Sequence, residues 1–535
     1  MCFALFLIPA SEALAQNATV TLGSQKQFVR GFGGMVHIPW AGDLSASERT
    51  LAFGNADGQL GLTVLRIAVP DGNTSDTSYV ATAKAAIAAG GIVFASPWNS
   101  SGSMNSSDFA SYASHLSGFA STMKGQGAEL FAIGTQNEPD YATQSGWKAW
   151  TAAQCHDFMA SYGDKVGTKL ITCESFNYSK GLYDPILNDS AAVEKMGVLG
   201  THLYGTSVSG YAYPLFDSKG AGKERWMTEH YTDSNTDANA WPNALGVASE
   251  LHNSMVTGQF NAYTWWYIKR SYGFINNGAI TKRGWCMAHW SKFVRPGFYR
   301  VDATEKPVSG VSLSAYKNDT DVVIIAVNTG SSAASVNISI AGSSIASFDK
   351  YTTSSSKSMA SDGKVSVSGG SMTVSLDGSG VTTLRGTGSG SPLSGMGGSS
   401  GGGGSTGGGS DAGRDARAPA GDTAGSGMGG VTGRDAGSSN RDASGTGGVA
   451  GGAVGSGGAA VAGASGSGLG SGGIASGAGG GSGGAQGAGG ASAVTGEHAS
   501  QGCQVSGPAG GPSVRLAPFI ALLMLACLVR RRRRG

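Results

Sequence analysis

Short apolar runs, each ending in polar residues, recur through the N-terminal half of the chain and alternate with stretches of helical spacing. The runs predict strands at Gly31–Val36, Leu62–Val69, Gly91–Ser96, Leu130–Asn137, Lys169–Glu174, Val198–Tyr204, Arg225–Glu229 and Ala262–Ile268. Uninterrupted apolar runs of this length mark strands buried on both faces. Between them, Tyr79–Ala89, Phe109–Lys124, Trp150–Gly163 and Ala244–Val256 read as helices. Strands and helices in strict alternation define an α/β chain and predict a (β/α)8 TIM barrel over residues 31–303 rather than an open doubly wound sheet. No glycine-rich phosphate loop follows a strand, which argues against a Rossmann domain.

The pattern differs on either side of this region. Ala18–Val29 alternates apolar and polar residues, so residues 16–30 are expected to form a strand that joins a side domain. After Ala303 come short alternating segments, Val308–Tyr316, Val322–Asn328, Ala334–Ile340, Phe348–Thr353 and Met372–Asp377, separated by Gly, Ser and Asn turns. They predict a side β-sandwich over 304–386.

Polar residues collect at the C-terminal ends of the predicted barrel strands, the face that carries chemistry in this architecture. They are Arg66, Trp98, Asn137, Glu138, Glu174, His202, Tyr204, Glu229 and Trp266. Glu138 lies in Gly134–Asp140, where Pro139 lacks the amide that would continue a ladder. Glu229 leaves the short strand at Arg225 in the same way. Two carboxylates at the ends of separate strands are the minimum equipment for glycoside hydrolysis. Arg66 and His202 are suited to keeping Glu229 ionised, Asn137 to bonding a sugar hydroxyl, and Trp98 and Trp266 to stacking on sugar rings. Glu174 reads as a positioning group.

Composition bounds the remainder. Of 90 glycines in 535 residues, many fall in a Gly/Ser/Ala-rich stretch over 387–502 that has no aromatic residue. Such a stretch cannot bury enough apolar surface to offset chain entropy and is expected to be a disordered linker. Net charge is +2, from 37 basic and 35 acidic residues, so nucleic acid is not expected as a partner. Residues 1–15 are apolar and end Ala13-Leu14-Ala15, the form of a signal peptide with its cleavage site. Over 503–535, the apolar segment Leu516–Val529 runs directly into Arg530–Arg534, which suggests membrane anchoring with the arginines on the cytoplasmic side. Export, with secretion or display on the cell surface, is the expectation, and so is a monomer. Cys155 and Cys173 are free to pair in an oxidising compartment or to stay as buried thiols. No cysteine spacing suggests a metal site, and no cofactor is expected.

Several motifs together resemble glycoside hydrolase family 30: Gly31-Phe32-Gly33-Gly34, Ala95-Ser96-Pro97-Trp98, Gln136-Asn137-Glu138-Pro139-Asp140-Tyr141, Gly200-Thr201-His202-Leu203-Tyr204-Gly205 and Trp226-Met227-Thr228-Glu229. Trp265-Trp266-Tyr267-Ile268-Lys269-Arg270-Ser271-Tyr272-Gly273 and Thr281-Lys282-Arg283-Gly284 are similar to subfamily 8, the bacterial glucuronoxylanases. The resemblance spans residues 18–386. It implies retaining hydrolysis of glucuronoxylan, with Glu138 as general acid/base and Glu229 as nucleophile. It also implies that Arg270 and Tyr272 bind the methylglucuronic acid side group, helped by Tyr231 and Ser234. Lys269 receives no contact in this reading. The C-terminal segment resembles Myxo-CTERM sorting tails, with processing near Cys503. The competing readings are a neutral xylanase or β-glucanase on the same scaffold, for which Arg270 would have no partner, and a non-catalytic carbohydrate-binding surface protein.

Overall fold

The computed structural model describes residues 16–98, 109–141, 149–232 and 236–388. The expected leader, Ser234, the linker and the C-terminal segment therefore lie outside the described residues. Among those residues, no helix is long and apolar enough to cross a membrane.

A long strand, β1 (Gln16–Phe28), leads into a closed parallel barrel of β2 (Gly31–Val36), β3 (Val64–Val69), β4 (Ile92–Pro97), β5 (Ala132–Gly134), β6 (Lys169–Ile171), β7 (Met196–His202), β8 (Glu224–Glu229) and β9 (Ala262–Tyr267). The predicted helices are present as Val80–Ala88, Phe109–Gly125, Ala152–Tyr162 and Leu245–Val256. Strand β2 owes its glycines to close backbone approach: a Cβ on Gly33 would lie 1.7 Å from the Val64 carbonyl oxygen.

Two strands stop earlier than their apolar runs suggest. β5 ends at Gly134 and not at Asn137, and β6 ends at Ile171 and not at Glu174. Beyond them the ladder persists only as isolated bridges, Asn137 to Glu174 and Ser175 to Thr201. The backbone beyond β5 also leaves the extended region. Glu138 has φ of +43°, in the left-handed region that a non-glycine residue occupies only at a cost of about 1–3 kcal/mol. Neighbouring bonds hold it there: the Glu138 N–H donates to the Glu174 carbonyl at 2.8 Å, and the Asn137 N–H to that of Pro97 at 2.9 Å.

After β9, a small hairpin of β10 (Ile275–Asn276) and β11 (Ala279–Ile280) precedes the side domain. That domain comprises β12 (Tyr299–Ala303), β13 (Val311–Lys317), β14 (Asp321–Asn328), β15 (Ala334–Ala341), β16 (Ser347–Thr353), β17 (Ala360–Ser366), β18 (Ser371–Leu376) and β19 (Gly380–Thr387). With β1 they form one nine-stranded sheet, in the order β17-β16-β19-β14-β13-β12-β1-β15-β18. It encloses its own core, which includes Val20, Leu22, Leu313, Ile324, Ile338, Phe348 and Val374. The early strand joins this sheet as expected, antiparallel to β12 and parallel to β15. Because β12 belongs to the sheet, the side domain starts at Tyr299 and not at 304. Strands β17 and β19 escape the apolar pattern because one is mostly polar and the other is rich in threonine.

The two domains are joined by specific polar contacts. His289, in the helix Lys282–Ser291, is buried between the Thr383 and Thr353 hydroxyls at 2.8 and 2.9 Å. Burial drives its imidazole down to about 3, so it stays neutral and serves one hydroxyl as donor and the other as acceptor. The Trp290 indole N–H donates to the Tyr316 hydroxyl. The β-domain thus braces the barrel from its last helix.

Candidate active site

Inside the barrel, β3 to β9 each contribute one residue to an apolar floor of Val64, Phe94, Ala132, Ile171, Val198, Trp226 and Ala262. The large Phe94 and Trp226 rings meet edge to face at 5.7 Å, with alanines on β5 and β9 making room for them. Strand side chains alternate with period two, so the next interior position on β3 is Arg66, on β4 Ser96 and on β9 Thr264. Polar residues therefore sit directly above the floor, at the C-terminal face. Glu229 would alternate outward on β8, but the β7–β8 register shifts between Thr201 and His202, and His202 then pairs with Glu229. A bulge of this kind re-aims a side chain. Here it accompanies the carboxylate's placement beside His202 and Arg66.

Arg66 is the hub of this layer. Fully buried, it bonds Glu229 Oε2 through Nη1, Asn137 Oδ1 through Nη2 at 2.6 Å, Glu174 Oε2 through Nη2 at 3.2 Å and the Ser96 hydroxyl through Nε at 3.0 Å. The Tyr204 hydroxyl donates to the other Glu229 oxygen at 2.8 Å. Across the site, His202 Nδ1 lies 2.8 Å from Glu138 Oε1, while its Nε2 is 3.6 Å from Glu174 and 3.8 Å from Glu229. The sequence pointed to Arg66 and His202 as joint partners of Glu229. The structure divides them: Arg66 holds Glu229, and His202 chiefly serves Glu138.

These contacts set the protonation states. Burial, followed by the charge of Glu229, pushes the Glu138 carboxyl up to about 7 against the opposing pull of His202 and Arg66. Burial alone would lower the His202 imidazole, but Glu229, Glu138 and Glu174 outweigh it and raise the group to about 9. Burial also works against charge on Glu174, yet Arg66 and His202 hold its carboxyl below the ordinary range. The site thus contains a carboxyl able to carry a proton near neutrality beside one whose two oxygens both accept hydrogen bonds. One oxygen of Glu138 and one of Glu229 lie within 4.8 Å of each other. That proximity is in keeping with the roughly 5–5.5 Å separation of retaining glycosidases rather than with about 6.5–9.5 Å in inverting ones.

Glu138, His202 and Glu229 also have the mutual spacing of a metal triad. Two contacts already occupy this cluster, however: His202 Nδ1 bonds Glu138, and Arg66 bonds Glu229. A cation there would meet the guanidinium, so the three groups are suited to proton transfer instead.

An aromatic rim surrounds the charged layer. Trp98 and Trp266 lie 5.9 Å apart with the Arg66 guanidinium against both rings, and each is nearly buried. Trp40, which the sequence did not single out, is 41% exposed and packs on the same pair at 5.7 and 6.0 Å. His37 stacks on Trp40 at 3.8 Å, and burial together with Arg66 keeps it neutral, near 3. Tyr231 and Tyr272 meet at 5.3 Å beside Tyr204. Arg270 lies over the Tyr267 ring at 4.8 Å and donates from Nη2 to the Trp40 carbonyl at 2.7 Å. No carboxylate among the described residues forms a salt bridge with it.

The residues expected from the sequence therefore converge, with Ser234 outside the described residues. Asn137 gives its oxygen to Arg66 and leaves its buried amide nitrogen unpartnered, a free donor at the site. Glu174 occupies the hub as a fixed charge. His37, Trp40 and Tyr267 were not singled out: the first two follow β2, where no strand alternation flags them, and Tyr267 is one of several aromatics that close β9. Cys155 and Cys173, left open by the sequence, form a disulfide with Cα atoms 6.1 Å apart, tying the helix Ala152–Tyr162 to the residue before Glu174.

A parallel barrel with two buried carboxyls this close at its C-terminal face defines a glycoside hydrolase. No protein-family model matches the chain. Relatives do. Glucuronoxylanase XynC of Bacillus subtilis (strain 168) is 45% identical over 407 residues, which cover 72% of this chain and 96% of that protein. The crystal structure of a GH30 endoxylanase from Clostridium papyrosolvens aligns at 39% identity and a TM-score of 0.65, covering 69% of this chain and all of that one. A glycoside hydrolase family 30 subfamily 8 xylanase from Clostridium acetobutylicum aligns at 33% identity and a TM-score of 0.63, over 69% of this chain and 99% of its own. The chain belongs to glycoside hydrolase family 30.

Proposed function

We propose that the chain is a retaining endo-β-1,4-xylanase of subfamily 8 that cuts glucuronoxylan by reading its methylglucuronic acid side groups. Glu229, with both oxygens accepting bonds from Arg66 and Tyr204, attacks the anomeric carbon. Glu138 gives its proton to the departing glycosidic oxygen, which leaves a glycosyl-enzyme ester and a free xylan end. Glu138, now a carboxylate steadied by His202, takes a proton from water as that water displaces Glu229. The Asn137 amide, whose nitrogen has no partner, bonds the sugar hydroxyl next to the reacting centre. The observation that carries the substrate reading is Arg270, a half-buried guanidinium at the rim that forms no salt bridge with the described carboxylates and is flanked by Tyr267. A guanidinium can hold a carboxylate through two parallel hydrogen bonds, and Tyr231, Tyr272 and Ser234 complete the proposed uronate site.

Substrate comparison with variants tests this reading. Arg270→Ala should lower kcat/KM on glucuronoxylan by roughly ten- to a hundred-fold, the equivalent of a charge-assisted pair worth about 1.5–3 kcal/mol, and affect linear xylan far less. Glu229→Gln should abolish turnover on both. Products of the native enzyme should carry a uronate at a fixed distance from the reducing end. Equal rates on decorated and bare xylan would leave the neutral xylanase.

We also infer that the protein is exported, acts as a monomer and is held at the cell surface by a Myxo-CTERM-like tail. The leader-like residues 1–15 and the apolar and arginine-rich end support this. So does the Cys155–Cys173 disulfide, which forms in oxidising compartments. Fractionation of producing cells tests it.

A further inference from the structure

Lys269 has no role in the chemistry above, yet its contacts resemble those of a designed anchor. Its ammonium donates to Glu48 Oε2 at 2.9 Å and to the Asp43 carbonyl at 3.3 Å. Glu48 is nearly buried and does a second job. It closes a capping box on the helix Ala46–Phe53, accepting from the Ser45 N–H while its own N–H donates to the Ser45 hydroxyl. Asp43 is fixed in turn by Arg49 and by the Thr82 hydroxyl. The segment that follows β2, from Trp40 to Glu48, is therefore firmly built, and Lys269 ties it to the exit of β9.

The next residue, Arg270, grips the same segment at a second point, the Trp40 carbonyl. Its backbone is set by the turn into the hairpin, where its N–H donates to the Ile275 carbonyl at 3.1 Å. The direction of its guanidinium depends on where the Trp40 carbonyl lies. That position depends on the loop after β2, and Lys269 holds the loop. A long, half-exposed arginine loses side-chain freedom only if such an anchor is itself rigid.

We propose that the Glu48–Lys269 pair is a positioning latch for uronate selectivity: it fixes the loop after β2 and, through the Trp40 carbonyl, aims the Arg270 guanidinium at the substrate carboxylate. Lys269 does not touch sugar. The inference rests on the glucuronoxylanase reading above, and the chemistry at Glu138 and Glu229 does not depend on it.

The test is a mutant cycle read on two substrates. Lys269→Met, and Glu48→Gln, which keeps a capping side chain, should each raise KM on glucuronoxylan about three- to tenfold. The kcat on linear xylan should be unchanged, and Lys269→Arg should restore selectivity. In an Arg270→Ala background, Lys269→Met should cause no further loss, because its effect runs through Arg270. Additive losses would show that Lys269 binds substrate directly, and equal losses on both xylans would show a merely structural role. Either result overturns the latch. If Arg270→Ala itself leaves glucuronoxylan turnover intact, the uronate reading falls first, and that outcome is distinguishable from failure of the latch.

Discussion

The pair formed by His202 and Glu138 makes a quantitative prediction about pH. His202→Gln removes a buried positive charge 2.8 Å from the Glu138 carboxyl while leaving a side chain able to donate a neutral hydrogen bond. Both side chains are almost fully buried, so solvent screens the pair little. A charged donor is worth about 1.5–3 kcal/mol and a neutral one about 0.5–1.5 kcal/mol, so the substitution forfeits about 1–1.5 kcal/mol of preference for the ionised carboxylate. At 1.36 kcal/mol per pH unit, that is roughly one unit. The sign follows from which form is favoured. His202 stabilises the carboxylate, so its loss makes Glu138 keep its proton to higher pH. In the native enzyme kcat/KM should fall as pH rises through about 7, where Glu138 gives up the proton it must donate. In His202→Gln that limb should move to about 8, at a lower maximum rate because the acid is less firmly placed. The assay is kcat/KM on soluble glucuronoxylan across this range. An alkaline limb that stays put, or that moves to lower pH, would refute the claim that His202 tunes the acid.

Other consequences are simpler to check. A Cβ on Gly134 would lie 2.5 Å from Glu174 Oε1. Gly134→Ala should push that carboxylate from Arg66 and cut kcat at least about tenfold, with a stability loss of about 1–3 kcal/mol; normal kinetics would mean that Glu174 has latitude that the packing denies. The Cys155–Cys173 bridge closes a sequence separation of 18, a loop for which cross-linking contributes about 3 kcal/mol, so dithiothreitol should lower Tm in thermal melts, and an unchanged Tm would refute that contribution. A fragment spanning residues 16–388 should fold and retain full activity on glucuronoxylan, because both hydrophobic cores lie within it; its failure to fold would show that the remaining chain contributes to one of them.

The sequence alone determined the repeating strand–helix architecture, the early strand that returns to the side domain, and the presence of two carboxyls at the C-terminal face of the barrel. These are local signals. A strand buried on both faces must be continuously apolar, and a polar residue closing such a run has little to do in a core. Tertiary structure decided the rest. Nothing in the run from Leu130 indicates that β5 stops at Gly134 or that Glu138 adopts a left-handed conformation, because that geometry is held by carbonyls of Pro97 and Glu174 from neighbouring segments. The β7–β8 register shift that accompanies Glu229's placement beside Arg66 is a property of two strands together. Arg66 and His202 were legible as site residues, but which carboxyl each serves was not, since distances of 2.8 and 3.8 Å separate the alternatives for His202. His37, Trp40 and Glu48 come from loop and helix positions whose significance arises only when the chain beyond β9 folds back across them. Periodicity reports which face of an element is buried, whereas pairing between elements distant in sequence is set by packing.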